Sequence, residues 1–235
     1  MAEPLKLTGV TVVFDLDGTL VDTAPDLVAS LNACLVDAGY APVAASHVQG
    51  QIGLGSRAMI VTALNVLEKT ATDTAIDEMR SVFLAHYAEN TANLSRPYPN
   101  VIAALDQLDA AGATIAICTN KPQSLADTLI EKLKLTYRFK AIVGSDSVPA
   151  RKPDAGHILR TIKRAGGSPE KAIMIGDSNP DEKAAQNAEL PFVFIPFGYG
   201  PIDAATGARN ELANYAQLTP DFILTCLSAF RPQPE

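Results

Sequence analysis

The stretch Val10-Thr11-Val12-Val13-Phe14-Asp15-Leu16-Asp17-Gly18-Thr19 decides how the rest of the chain is read. Its first five residues are β-branched or aromatic, and such a run reads as a buried strand. Asp15-Leu16-Asp17-Gly18 ends the strand, with Gly18 letting the backbone turn sharply. A carboxylate at the end of a central strand is ionised at neutral pH without a helper base, so Asp15 is a candidate nucleophile. Asp17, two residues on, can be placed to protonate a departing alkoxide and later to take a proton from water. The competing reading is an Asp-Gly turn with two solvated acids.

Outward from this stretch, runs of the same kind recur at 114–118, 141–144, 172–175 and 192–195. Helical patterns separate them at 101–111, 125–133 and 157–165, the first stopped by Gly112. Strands alternating with helices predict an α/β fold: a Rossmann-like parallel sheet with helices on both faces. Such sheets bind ligands at the carboxyl ends of their strands. Residues 22–96 break the rhythm, with helical patterns at 27–38, 58–67 and 76–90 and no convincing strand. An all-helical insertion after the first strand accounts for this, and Arg96-Pro97-Tyr98-Pro99 is its expected return linker because prolines forbid helix there. The expected division is therefore a core domain from 1–21 and 97–235, interrupted by a helical domain at 22–96. The last forty or so residues are poorly patterned until a closing helix at 220–230.

Composition narrows the function. At 47% hydrophobic the chain can build a sizeable core, and a net charge of -7 argues against a nucleic-acid partner. Three widely spaced cysteines, Cys34, Cys118 and Cys226, form neither a disulfide framework nor a zinc knuckle and are read as cytoplasmic thiols. The first residues lack the apolar stretch of a signal peptide, and no membrane span is expected.

Three further segments follow predicted strands. In Thr119-Asn120-Lys121 a hydroxyl and an amide can donate to phosphoryl oxygens; the alternative is a turn. In Arg151-Lys152-Pro153 an ammonium can neutralise nucleophile and phosphate together; the alternative is an exposed basic pair before a helix. In Gly176-Asp177-Ser178-Asn179-Pro180-Asp181 the Asp177 carboxylate can bind a hard cation. Ser178 and Asp181 also fit a helix capping box, which leaves Asp177 unexplained. Two unit charges 4 Å apart interact by about 4 kcal/mol at an effective dielectric of 20. A phosphate dianion approaching Asp15 beside Asp177 therefore needs more positive charge than Lys152 supplies. A divalent cation held by Asp15, Asp177 and a backbone carbonyl would provide it.

These four segments, in this order, resemble the haloacid dehalogenase superfamily, and the match runs to about residue 200. The resemblance implies Asp15 as nucleophile, Asp17 as general acid/base, Thr119 and Asn120 as phosphate binders beside Gly18, and Lys152 as charge neutraliser. It implies magnesium held by Asp15, the Asp17 carbonyl and Asp177, with Asp181 and Ser178 in support, and a helical cap closing over the site. Within the superfamily the phosphoglycolate phosphatase group is most similar, on Asp15-Leu16-Asp17-Gly18-Thr19-Leu20-Val21-Asp22-Thr23, Thr119-Asn120-Lys121-Pro122 and Gly198-Tyr199-Gly200. The chain departs from that group in lacking a second proline after Lys152-Pro153 and in having Glu189-Leu190 where a glycine is common.

The expected partner is a small phosphate ester, with no nucleic acid or membrane, for a monomer or homodimer. Arg57, in the glycine-rich stretch 50–57, is an expected contact for an anionic leaving group; the competing reading is a solvated arginine. His47, His86 and His157 are expected on helix surfaces, and Asp73, Asp77 and Glu78 as a solvated helix start. Alternatives to a phosphatase are a phosphosugar mutase, a receiver-type phospho-aspartate domain and an idle binding module.

Overall fold

A computed structural model describes residues 6–200 and 210–230. The N-terminal stretch read for a leader lies almost wholly outside these residues.

Strand β1, Thr11–Phe14, is buried along its whole length, as its β-branched sequence predicts. Its side chains alternate between two apolar layers, as the two-residue period of a strand requires. Val12 and Phe14 join one cluster with Leu105, Ile117 and Ile175. Val13 joins the opposite cluster with Ile158, Ile162 and Met174. Fully burying a side chain such as Phe14 contributes roughly 1.5–3 kcal/mol.

Around β1 stand β4 (Thr114–Cys118), β5 (Ala141–Val143), β6 (Ala172–Gly176), β7 (Phe192–Phe194) and β8 (Asn210–Glu211), in the order β5-β4-β1-β6-β7-β8. All of these pairings are parallel. The chain winds from β1 out to β5 and then crosses back to β6 on the other side. The direction reverses at β1, where ligands are expected. The four strands read after β1 are all present. β8 was not foreseen, because two polar residues carry no strand period.

Between β1 and β4 lie two short strands, β2 (Val21–Asp22) and β3 (Arg96–Pro97), and five α-helices. Four of these, α1 (Ala24–Asp37), α2 (Ala45–Val48), α3 (Ser56–Val66) and α4 (Asp73–Asn90), build a separate apolar core around Leu31, Met59, Ile60, Phe83 and Tyr87. The fifth, α5 (Val101–Ala110), packs on the sheet with α6 (Gln123–Lys132). α7 (Ala155–Arg164) and α8 (Asn179–Asn187) cover the opposite face. α9 (Pro220–Ala229) closes the chain.

The expected linker 96–99 is not simply a coil. β2 and β3 pair antiparallel, so both connections to the helical layer run side by side. A buried acid fixes the return: Asp26, in α1, accepts from the Leu94 and Ser95 amides at 2.9 and 2.8 Å and from the Ser95 hydroxyl at 2.5 Å. Glu189, at the departure from the family pattern, has φ +54, a left-handed conformation that favours glycine. Among the described residues, no helix is long and apolar enough to cross a membrane.

Candidate active site

The sheet register brings the motifs together. Phe14 lies opposite Ile117 on β4 and Ile175 on β6. One step on, Asp15 is level with Cys118 and Gly176, and Thr119 and Asp177 lie just beyond. One cleft is lined by Asp15, Asp17, Thr119, Asn120 and Lys152 of the sheet side and by residues of the helical layer.

Lys152 is the electrostatic hub. Its side chain is 2% exposed, and its ammonium donates to Asp15 Oδ1 at 2.7 Å, the Cys118 carbonyl at 2.7 Å and Asp181 Oδ1 at 2.6 Å. These three bonds use all three of its donors. Burial works against the charge, but Asp15 and Asp181 outweigh it and raise the Lys152 pKa. Among the described residues Asp15 Oδ2 takes no hydrogen bond, which leaves an oxygen of the expected nucleophile available at the cleft.

Asp177 is held by its surroundings. Thr19 donates to its Oδ1 at 2.8 Å, and the amides of Tyr199 and Gly200 donate to its Oδ2 at 2.7 and 3.2 Å. The backbone can come this close only without side chains: a Cβ on Gly18 or on Gly198 would lie 2.5 Å from Asp177 Oδ2. Gly18 also has φ +84, so its place in the site is conformational. Asp181 is fully buried and satisfied. Its Oδ1 serves Lys152, and its Oδ2 accepts from the Ser178 amide at 3.0 Å and the Ser178 hydroxyl at 2.5 Å. The capping box is therefore present, and the same carboxylate also orients the lysine.

The carboxylates fit a divalent cation. Asp15, Asp177 and Asp181 each offer an oxygen, and these atoms all lie within 4.8 Å of one another. Three carboxylates against one ammonium leave two excess negative charges in a buried place, which hard-oxygen cations relieve. Such crowding disfavours the charged form of each acid. Burial, opposed by Lys152, pushes Asp15 up to about 8, and burial with Asp181 pushes Asp177 up to about 7.

Asp17 sits at the mouth of the cleft. Thr23 donates to its Oδ1 at 2.6 Å, and Lys121 donates to both oxygens at 2.8 and 3.1 Å. Lys121 is a residue that the sequence reading passed over. It looked like the third letter of a turn, yet its ammonium is buried, 4.5 Å from the centroid of the Tyr87 ring. An acid/base pattern followed by a lysine behind the second strand was the available signal. Thr119 Oγ1 accepts from the Lys121 amide at 3.1 Å. Asn120 Nδ2 donates to the Lys152 carbonyl at 3.1 Å, and its Oδ1 is buried without a partner.

Arg57 is placed apart from the cleft. It opens α3 and ion-pairs with Asp73 and Asp77 at 2.5 and 2.6 Å on the surface, where such pairs contribute little. It is therefore not an isolated cation, and Asp73 and Asp77 have a partner. The histidine expectation needs one correction: His157 is fully buried. Its Nδ1 accepts from the Lys152 amide at 3.2 Å and its Nε2 donates to the Val143 carbonyl at 3.1 Å. Burial and Lys152 push its pKa down to about 4, so the neutral ring shapes the loop that presents Lys152.

Fold and site together define the class. The profile of the family described as haloacid dehalogenase-like hydrolase matches residues 12–195, and the chain belongs to that family. Among curated relatives, the phosphoglycolate phosphatase of Agrobacterium fabrum is 43% identical over 220 residues, covering 94% of this chain and 90% of that one. That of Caulobacter vibrioides is 39% identical over 197 residues, covering 82% and 81%. A crystal structure described as a predicted phosphoglycolate phosphatase from Haemophilus somnus superposes with a TM-score of 0.81 at 30% identity, covering 88% of this chain and 95% of that one. The chain is thus a phosphatase of the haloacid dehalogenase-like family, as the motifs imply.

Proposed function

We propose that this protein hydrolyses 2-phosphoglycolate to glycolate and inorganic phosphate with magnesium, through an aspartyl-phosphate on Asp15. One observation carries the reading: Asp15 presents an unbonded carboxylate oxygen at a cleft where Lys152 holds its other oxygen and Asp17 stands beside it. The names of the relatives supply the substrate.

Asp15 attacks phosphorus as the P–O bond to the alcohol breaks, and Asp17 gives its proton to the departing alkoxide. Asp17 then takes a proton from water, whose oxygen attacks phosphorus and breaks the bond to Asp15, releasing phosphate. Thr119 and Asn120 orient the phosphoryl oxygens, and Lys152 offsets their charge. Magnesium, held by Asp15, Asp177 and the Asp17 carbonyl, would supply charge neutralisation and polarise the phosphoryl group. Residues 22–96 act as a cap that excludes water from the anhydride, on a core formed by 1–21 and 97–235. Their separate apolar core and paired connections support that division. A cytoplasmic location belongs to the same reading, supported by three unpaired cysteines.

The test is phosphate release from 2-phosphoglycolate, sugar phosphates and nucleoside monophosphates, with magnesium and after chelation. Activity greatest on 2-phosphoglycolate and lost on chelation is expected. Equal release in the presence of chelator would remove the metal from the reading, and conversion without free phosphate would replace hydrolysis by mutase chemistry.

A further inference from the structure

The cleft needs something to tell one leaving group from another, and its helical wall offers little. Leu27, Ile52, Met59 and Phe83 line that side with carbon. A carboxylate pushed against such a wall without a partner is strongly disfavoured. Arg57 does not line the cleft. Among the described lining residues the cations are Lys152 and Lys121, and Lys152 has no donor left.

Lys121 is differently placed. Among the described residues its ammonium donates to the two oxygens of Asp17, which leaves its third donor for Tyr87 and the cleft. Tyr87 stands beside it, its ring under the ammonium, and its buried hydroxyl donates to no acceptor among the described residues. A buried hydroxyl with a proton to donate and a buried ammonium sit together in a cleft that must hold a substrate. Both lie next to Asp17, the group that protonates the ester oxygen, and hence on the leaving-group side of the phosphorus.

We propose that Lys121 and Tyr87 form an anion subsite that binds a carboxylate on the alcohol portion of the substrate, selecting phosphate esters of short hydroxy-carboxylic acids over esters of neutral alcohols. The reach is short: in a glycolate ester one methylene separates the ester oxygen from the carboxylate. The inference rests on the phosphatase reading above, and it gives the substrate class a physical cause in place of a relative's name.

The experiment compares kcat/KM for 2-phosphoglycolate and for ethyl phosphate, which has a methyl group in place of the carboxylate, in the wild type, Lys121→Met and Tyr87→Phe. The wild type should prefer 2-phosphoglycolate. Losing a charged hydrogen bond should shrink that preference in Lys121→Met by about tenfold to a hundredfold. Tyr87→Phe keeps the ring and should shrink it by about threefold to tenfold. If Lys121→Met fails to fold, as a melting curve would show, Tyr87→Phe carries the test alone. Variants that lose activity equally on both esters, with the ratio preserved, overturn the subsite and leave Lys121 acting only through Asp17. A wild type that hydrolyses both esters with a ratio near one also overturns it while the phosphatase stands. A wild type that releases phosphate from neither ester removes the phosphatase reading itself.

Discussion

Stripping the cation with a chelator should make this protein less stable as pH rises from about 4 to about 8, and magnesium should abolish most of that dependence. The carboxyl of Asp15 has an ordinary value of 3.8 and stands at about 8 in the fold. Asp177 starts from the same value and stands at about 7. Between those limits the folded chain holds protons that the unfolded chain has already released. Stability therefore falls with rising pH across the window. A single proton held over three pH units is worth about 4 kcal/mol. For a chain of 235 residues, that corresponds to a melting point about 8 °C lower near pH 8 than near pH 5. A bound cation replaces the protons, so the gap between loaded and chelated protein should widen in the same direction. Differential scanning calorimetry at pH 5, 6.5 and 8, with magnesium or with chelator, measures both trends. A chelated melting point that stays flat or climbs through this range would refute the idea that buried carboxylate repulsion is the strain the cation relieves. Asp177→Asn should flatten the chelated curve by removing one of the charges.

Other substitutions test separate parts of the argument. Asp15→Asn should abolish phosphate release and leave the chelated protein more stable at pH 8, because it removes a charge from a crowded place; turnover at the native rate would exclude Asp15 as nucleophile. Gly198→Ala would place a methyl group 2.5 Å from Asp177 Oδ2 and should weaken magnesium binding at least tenfold by titration calorimetry, with the sheet intact by circular dichroism. Asp26→Ala strips three hydrogen bonds from the Leu94–Ser95 return. It should cost about 3 kcal/mol in urea unfolding, and a change below about 1 kcal/mol would mean that water replaces the carboxylate freely.

The sheet was legible because its signal is local. Each long strand is a short buried run of Val, Ile or Ala, and the chemistry follows directly after the runs at 15, 119 and 177. The helices between β2 and β3 were legible too, from the loss of strand period between 22 and 96. What escaped was settled by neighbours far along the chain. Lys121 matters because Asp17 and Tyr87 surround it, 104 and 34 residues away. His157 is buried on the inner face of its helix, where the nearby Lys152 amide and the Val143 carbonyl hold its ring. Arg57 looked solitary in the sequence, but helix packing delivers Asp73 and Asp77 to it. β8 has too few residues to show any pattern.

Tyr199 serves two masters. Its amide donates to Asp177 at 2.7 Å, while its hydroxyl donates to Asp22 at 2.5 Å and accepts from the Ala24 amide at 2.8 Å. One end thus grips the carboxylate proposed to hold the ion, and the other grips the chain where it leaves for the helical layer. Swinging that layer outward would tug on the same residue whose backbone amide braces Asp177. On the proposed reading, ion affinity and layer position share a single free-energy cycle, and whatever favours one must favour the other by an equal factor.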